Sequence, residues 1–416
     1  MKRLALAAIA ACGGTPHPVT PNAYVITASR IYTAPDQPPL DHAWVEVQGD
    51  QILAVGTGQA PDVRHDDTCS GGVITAGFQN NHVHFVAPAF VDAAKKSPAE
   101  LEGPVADLTT KWGFTTVSDT SSFPGDTIPL RDRITRGELR GPTIHTVGLG
   151  IYADIPFYLN DLPDEVKQKL PRPKTPDDAK AVVQANFAVG ADSTKLFIAT
   201  PMGKGEIHRL APDVAKAAVE ESHHAGKMVM VHPTDPQGVQ DAVDAGVDII
   251  VHTTIDPDPS VWSPELIHTM IAKHISVVPT LKLWSYELAK HDVPKPAVEK
   301  IVNYALVQLH DFVQAGGQVL FGTDTGYMTD HDPTDEYVLM AKAGMTPLQI
   351  LASLTTNPAA KWNESDKRGR VVAKLAADLV VLDGDPATDV KKFAAVKCAI
   401  RAGKIQWDSR MSRDTH

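Results

Sequence analysis

Residues 190–253 read GADSTKLFIATPMGKGEIHRLAPDVAKAAVEESHHAGKMVMVHPTDPQGVQDAVDAGVDIIVHT, and this stretch decides the fold. It holds three short, β-rich apolar runs, at 193–198, 228–233 and 248–253. Between the first two, Pro212 opens a helix that ends near Gly226, the usual placing of Pro at a helix start and Gly after its end. The alternation extends in both directions, with further apolar runs at 73–84, 114–120, 143–149, 276–281 and 318–325. Thr175-Pro176-Asp177-Asp178 supplies an N-cap, a Pro at the first helical position and first-turn acids for a helix that Gly190 closes. Thr346 with Gln349 forms a capping box around Pro347. Strands alternating with helices over about 250 residues predict an α/β fold, a (β/α)8 TIM barrel. A doubly wound open sheet is the rival arrangement. It would place a glycine-rich phosphate loop after its first strand, and the sequence has none there.

Both ends of the chain read differently from the middle. AYVITASRIYT and HAWVEVQGDQILAVG, within 23–56, are β-branched and aromatic, and the latter has the pattern of a hairpin turning at Gly49-Asp50. ADLVVLDGDP at 377–386 and AVKCAIRAGKIQW at 395–407 repeat the style, with a turn at Ala402-Gly403. The expected organisation is a small β-sandwich built from 22–72 and 366–410 around a barrel spanning 73–365. The chain opens MKRLALAAIAACGG, with two basic residues, an apolar run and Cys12. That is the shape of an export signal, and Ile9-Ala10-Ala11-Cys12 resembles a bacterial lipobox. Residues 1–12 are therefore expected to be a lipoprotein-type signal and 13–21 a tether, an ordinary signal peptide being the alternative. Lipid on Cys12 would anchor an exported, periplasmic or envelope protein without a membrane span. An oxidising compartment allows Cys69 and Cys398 to pair, although sequence gives no distance between them and two separate buried thiols are the favoured reading.

The 416 residues carry a net charge of −11, and no Lys/Arg cluster has the density that nucleic acid requires. A small-molecule or dipeptide substrate is expected instead, and a homo-oligomer is compatible with the sequence.

In a barrel the chemistry sits at the carboxyl ends of the strands. GFQNNHVHF (77–85) gives His82 and His84, two apart on a strand and so on one face. STKLFI carries Lys195, MVMVHP carries His232, DIIVHT carries His252 and QVLFGTDT carries Asp324. Each alone has an ordinary structural reading, but together they form a donor set that Zn, Mn, Fe or Ni accepts. The loops beyond the strands offer Lys204, His208, Arg209, Tyr327 and His331 as candidate substrate contacts, a basic group there being able to hold a terminal carboxylate. Tyr152, Tyr158 and Trp284 read equally well as pocket walls or as packing.

The order of motifs resembles the amidohydrolase superfamily of metal-dependent hydrolases, in its imidazolonepropionase-like and Xaa-Pro dipeptidase-like branch. The resemblance runs over 22–410. It rests on GFQNNHVH (77–84), GADSTK (190–195), SHHAGKMVMVH (222–232), AGVDIIVH (245–252), VPTL (278–281), GTDTG (322–326), AGMTPLQILASLTTNPA (343–359) and ADLVVLDGDP (377–386). It implies two divalent metal ions, zinc the favoured choice, held by His82, His84, Lys195, His232, His252 and Asp324. It also implies a carbamate on Lys195, because a protonated lysine cannot ligate and its carbamate can. Three departures stand out: Asn80 in place of an Asp, Val251 in place of a Glu, and a rewritten turn at RGRVVAKLAADL (368–379).

The activity implied is hydrolysis of amide or peptide bonds in small substrates by a metal-bridging hydroxide, with Asp324 as general base and acid. Rival readings are a lactonase or organophosphate hydrolase, a cyclic-amide (imidazolone-type) hydrolase, or a binding lipoprotein that has lost catalysis. Lys195 speaks against imidazolone hydrolysis and deamination, and the intact donor set speaks against lost catalysis.

Overall fold

The structure, a computed structural model, describes residues 23–255 and 262–411. The signal, the tether and Cys12 lie outside the described residues.

The two chain ends come together in one sheet. Its strands are β1 (Ala23–Ile31), β2 (Leu40–Gln48), β3 (Gln51–Thr57), β4 (Arg64–His65) and β5 (Val73–Ala76), with β16 (Leu379–Leu382), β17 (Val396–Arg401) and β18 (Lys404–Asp408) from the far end. The order is β18-β17-β16-β5-β1-β2-β3, with β4 paired to β1. The expected hairpins are present: Gln48 pairs with Gln51 and Arg401 with Lys404. Ala402 and Gly403 both take positive φ, the backbone that a two-residue turn between twisted strands requires. Where a two-layer sandwich was expected, the strands form a single hydrogen-bonded sheet of eight. Its inward side chains, among them Ile26, Val45, Ile74, Leu379 and Ile400, make their own apolar cluster. Cys69 and Cys398 are bonded across this sheet, Cα atoms 5.6 Å apart, closing 329 residues of sequence separation.

The run at 73–84 divides at Gly77. Val73–Ala76 joins the terminal sheet, while β6 (Phe78–Val83) runs parallel to β7 (Phe114–Asp119) and β7 to β8 (Thr143–Thr146). A second parallel sheet holds β9 (Ile151–Tyr152), β10 (Thr194–Phe197), β13 (Val229–His232), β14 (Ile249–Val251) and β15 (Ser276–Val278), in the order β15-β14-β13-β10-β9. The eighth expected strand is not a regular one. Residues 318–325 bridge the two sheets singly, Val319 to Val277 and Thr325 to Val83.

The shortened strands share a cause. Thr280, His252 and Asp324 have φ of 45°, 76° and 62°, and a residue in the left-handed region cannot continue a ladder. Sequence reasoning also expected a loop after the fourth run. That segment is a hairpin, β11 (Ala199–Gly203) with β12 (Glu206–Arg209). The helices Pro176–Ala188, Pro212–His224 and Pro347–Leu354 begin at their expected prolines, and the Thr175–Asp178 and Thr346–Gln349 capping boxes are formed. These helices lay Ala179, Val183, Val214, Ala218, Ile350 and Leu351 onto the parallel strands, in the larger of the molecule's apolar clusters. No helix among the described residues is long and apolar enough to cross a membrane.

Candidate metal centre

The carboxyl ends of β6, β10, β13 and β14 and the segment 318–325 converge on one point. His82 and His84 bring their Nε2 atoms within 3.2 Å of each other. Asp324 Oδ1 lies 3.3 Å from the first and 2.9 Å from the second. Donor atoms of His82, His252 and Asp324 all fall within 4.8 Å of one another. The His252 ring stands 4.8 Å from His82 and 4.7 Å from His232 by centroids, and His232 stands 5.2 Å from Phe197. Lys195 Nζ reaches to 5.3 Å from that same Phe197 ring. All six residues drawn from scattered motifs are therefore neighbours.

Local geometry explains the convergence. The strand period puts His82 and His84 on one face, and β10 pairs with β13 so that Phe197 lies beside His232. Asp324 N–H donates to His82 O at 2.9 Å, which ties the segment 318–325 to β6. The glycines of GTDTG permit the approach. A Cβ on Gly322 would stand 2.3 Å from Val278 Cγ1, and one on Gly326, whose φ is +95°, would stand 1.9 Å from His84 O. Asn80 donates from Nδ2 to Thr323 Oγ1 at 2.8 Å and accepts from His82 N–H at 3.1 Å. The Asn that replaces the expected Asp thus links the His82 backbone to the Thr323 side chain across the cluster.

Burial sets the charge states. It pushes the His82 and His232 imidazoles down to about 3 and His252 well below its ordinary range, so all three are neutral near pH 7 with a free lone pair. Burial lowers the Lys195 amine to about 7, and the Asp324 charge only partly restores it. Burial also pushes the Asp324 carboxyl up, but the His82 and His84 imidazoles beside it outweigh this and hold it well below the carboxylate range. Lys195 Nζ is fully buried and has no hydrogen-bond partner. A primary amine so placed is the group most in need of an explanation.

This set fits a divalent ion. Ligand atoms about 2.0–2.2 Å from a tetrahedral cation stand about 3.4 Å from each other, close to the spacings among His82, His84 and Asp324. His84 and His232 are only partly buried, which leaves one side of the cluster open.

Aromatic side chains surround it. Tyr152 stacks on Phe197 at 4.2 Å and its hydroxyl meets Ser121 Oγ at 3.1 Å. Trp284 stands 6.3 Å from His252 and donates to Thr253 Oγ1 at 3.1 Å, while Tyr158 meets Tyr327 edge-on at 5.7 Å. Of the proposed substrate contacts, only Tyr327 is placed beside the cluster. Its phenol is pushed far up by burial and by the neighbouring Glu287. Lys204 is exposed at the tip of the β11–β12 hairpin. The other basic groups already have carboxylate partners. His208 lies 3.1 Å from Asp154 and 3.0 Å from Glu206, Arg209 pairs with Asp235 and Asp241, and His331 lies 2.9 Å from Asp107.

Sequence reasoning missed Phe197, Thr280, Asp119 and Glu336. Thr280 sits in the VPTL motif and holds His252 Nδ1 at 2.6 Å. Asp119 is buried behind His84, accepts from Ser122 and Thr146, and is pushed up by burial. Its position at the end of the second run was a signal that could have been read. Glu336, on a distant helix, offered none.

A profile of the Amidohydrolase family matches residues 73–405, four-fifths of the chain. The chain belongs to the amidohydrolase family. A comparison with curated protein sequences found no match. Among solved structures, this amidohydrolase is similar to a Xaa-Pro dipeptidase with methionine bound in its active site, at TM-score 0.77 and 22% identity over 93% of this chain and 100% of that one. It is also similar to A. niger ochratoxinase (TM-score 0.75, 19% identity, 93% and 98% covered) and to molinate hydrolase (0.73, 19%, 92% and 94%). At these identities the likeness establishes a shared fold. The amidohydrolase resemblance read from the motifs is thereby shown, and the cluster at the strand ends lies within the matched residues.

Proposed function

We propose that this amidohydrolase is a metal-dependent hydrolase of amide or peptide bonds in small substrates. The observation that carries the reading is the cluster of His82, His252 and Asp324 donors within 4.8 Å of one another, with His84 and His232 beside it and the unpartnered buried amine of Lys195 nearby. His82, His84 and Asp324 would hold one divalent ion, zinc the favoured choice, and His232 and His252 a second, with a carboxylated Lys195 between them. Bound there, such ions supply a water ionised near neutral pH and polarise a carbonyl.

The chain's own groups do the rest. A Lys195 amine lowered to about 7 is substantially neutral at physiological pH and so nucleophilic. Its nitrogen attacks CO2, the N–C bond forms, an N–H proton leaves to solvent, and an oxygen-donor anion results. Asp324, ionised at neutral pH, would take the proton of the attacking water and pass it to the leaving amine. The aromatic side chains of Tyr152, Phe197, Tyr158, Tyr327 and Trp284 around the cluster would suit a substrate with a flat or apolar side chain. The two parallel sheets, leaving aside the two-residue β9, and the segment 318–325 would together compose the eight-stranded barrel, capped by the terminal sheet. The Cys69–Cys398 bond supports an exported protein, and Cys12 would then be its lipid anchor.

The test is metal analysis joined to an activity screen over dipeptides, N-acyl amino acids, lactones and phosphotriesters. Amide turnover that chelation abolishes and zinc restores is expected. Bound metal without turnover of any amide, or turnover indifferent to chelation, would overturn the reading.

A further inference from the structure

A buried carboxylate far from the cluster reaches it through two steps. Glu336 lies in the first turn of the helix Thr334–Lys342 and is fully buried. Its Oε1 accepts from Leu281 N–H at 2.9 Å and its Oε2 from Lys282 N–H at 2.8 Å. These are the first two amides of the helix Leu281–Lys290, whose preceding residue is Thr280. Thr280 is β-branched yet held at φ 45°, ψ 49°, a conformation that such a residue adopts only under constraint. The constraint is visible, since two hydrogen bonds to the one buried carboxyl group of Glu336 fix the peptides on the C-terminal side of Thr280.

Thr280 has a single hydroxyl proton, and the Pro279 carbonyl stands 2.9 Å from Oγ1 to receive it. His252 Nδ1 lies 2.6 Å from the same oxygen. When that proton goes to Pro279, Thr280 Oγ1 accepts from His252, an arrangement that puts the imidazole proton on Nδ1 and leaves Nε2 bare.

We propose that Glu336 is a positioning residue that holds Thr280 in its left-handed conformation, and that Thr280 thereby selects the Nδ1–H tautomer of His252 and turns the Nε2 lone pair toward the cluster. The inference rests on the hydrolase reading only in giving that lone pair a cation to meet. Orienting partners of this kind behind a ligating imidazole are worth roughly 10–100-fold in metal affinity.

The tautomer can be read without metal. In metal-free protein with nitrogen-15 in its histidines, the His252 signal is identified by its loss in His252→Asn. It should report a proton on Nδ1 and a bare Nε2. Thr280→Val keeps the shape and loses the hydroxyl, and should move the signal toward Nε2–H. Thr280→Ser should restore it, which separates the tautomer effect from a folding defect. Glu336→Gln leaves only one good acceptor for two amides and should shift the signal part-way. In zinc titrations, Thr280→Val is expected to bind roughly 10–100-fold more weakly and Thr280→Ser within a few-fold of the unsubstituted protein. An Nε2–H tautomer in the unsubstituted protein, or an unchanged one in Thr280→Val, overturns the proposal. An unchanged signal in Glu336→Gln overturns the part assigned to Glu336. Should the unsubstituted protein show the expected tautomer yet take up no zinc, the hydrolase reading falls and the tautomer assignment stands.

Discussion

Lys195→Met replaces a buried, unpartnered amine with an apolar side chain of similar length, and burial of that amine sets the sign of the resulting change in stability. The Lys195 amine falls from its ordinary 10.5 to about 7, chiefly through burial. At about 1.4 kcal/mol per pH unit, holding it protonated in the folded, metal-free protein costs up to about 5 kcal/mol. Below pH 7 the folded and unfolded chains are both protonated and the whole penalty is present. Between about 7 and 10.5 the unfolded chain binds the extra proton, so the stability of the metal-free protein rises with pH across that window. Lys195→Met has nothing to titrate. Compared by urea unfolding of metal-free samples at a series of pH values, the variant should be the more stable one at pH 6. Its advantage should shrink by several kcal/mol toward pH 10. The same substitution should abolish the carboxylation proposed for Lys195 and with it most of the activity. Parallel stability curves for the two proteins would refute the reasoning, because they would mean that Lys195 carries no folding penalty to relieve.

Cutting the Cys69–Cys398 link by Cys69→Ala/Cys398→Ala, or by reduction, should cost about 2–4 kcal/mol in guanidinium unfolding. Closure of 329 residues sets a chain-entropy ceiling of about 6 kcal/mol, and an unchanged midpoint would show that the link does no work in stability. Gly326→Ala drives a Cβ against His84 O at a φ of +95°, so a loss of at least about 1–3 kcal/mol and weaker metal binding are expected. Calorimetric unfolding and zinc titration check the two effects. Asp324→Asn should reduce kcat by orders of magnitude while the protein retains much of its metal, as measured by elemental analysis beside the assay; full activity would remove Asp324 from the proton-transfer role.

How much the sequence discloses depends on the range over which each signal acts. Thr175, Pro176 and Asp178 act within one helical turn, and the N-cap and helix start read there are formed, with Asp178 completing a capping box besides. The strand period placed His82 and His84 on one face without any tertiary knowledge. Thr280, His252 and Asp324 defeat the same kind of reasoning. Their apolar neighbours promise strand, while their backbones turn left-handed for reasons supplied by groups far along the chain. The β11–β12 hairpin was missed because Gly203-Lys204-Gly205 reads as loop, and its alternation is too short to signal a strand. Pairing of Cys69 with Cys398 depends on two chain ends meeting in one sheet, which no local spacing encodes. Glu336 is the extreme case. A lone glutamate in a helix start is ordinary by sequence, and only the packing of its helix gives it two backbone amides to hold.

The strained residues share a place as well as a conformation. His252, Thr280 and Asp324 each stand at the carboxyl end of a core segment, and each non-glycine residue in the left-handed region costs about 1–3 kcal/mol. Together they approach the roughly 5–15 kcal/mol net stability of a typical domain, so they persist only where neighbouring bonds over-determine them. Those bonds exist. His252 N–H donates to Val278 O at 2.8 Å, Asp324 N–H to His82 O at 2.9 Å, and Met328 N–H to Asp324 O at 3.1 Å, while Glu336 secures the turn after Thr280. Extended backbones at these positions would carry the side chains on past the strand ends. With the left-handed turns, the His252 imidazole and the Asp324 carboxylate lie within hydrogen-bonding or ligating distance of their partners. At His252 and Asp324 the strain sets direction, adding one imidazole and one carboxylate to the donors that β6, β10 and β13 present from ordinary strand backbone.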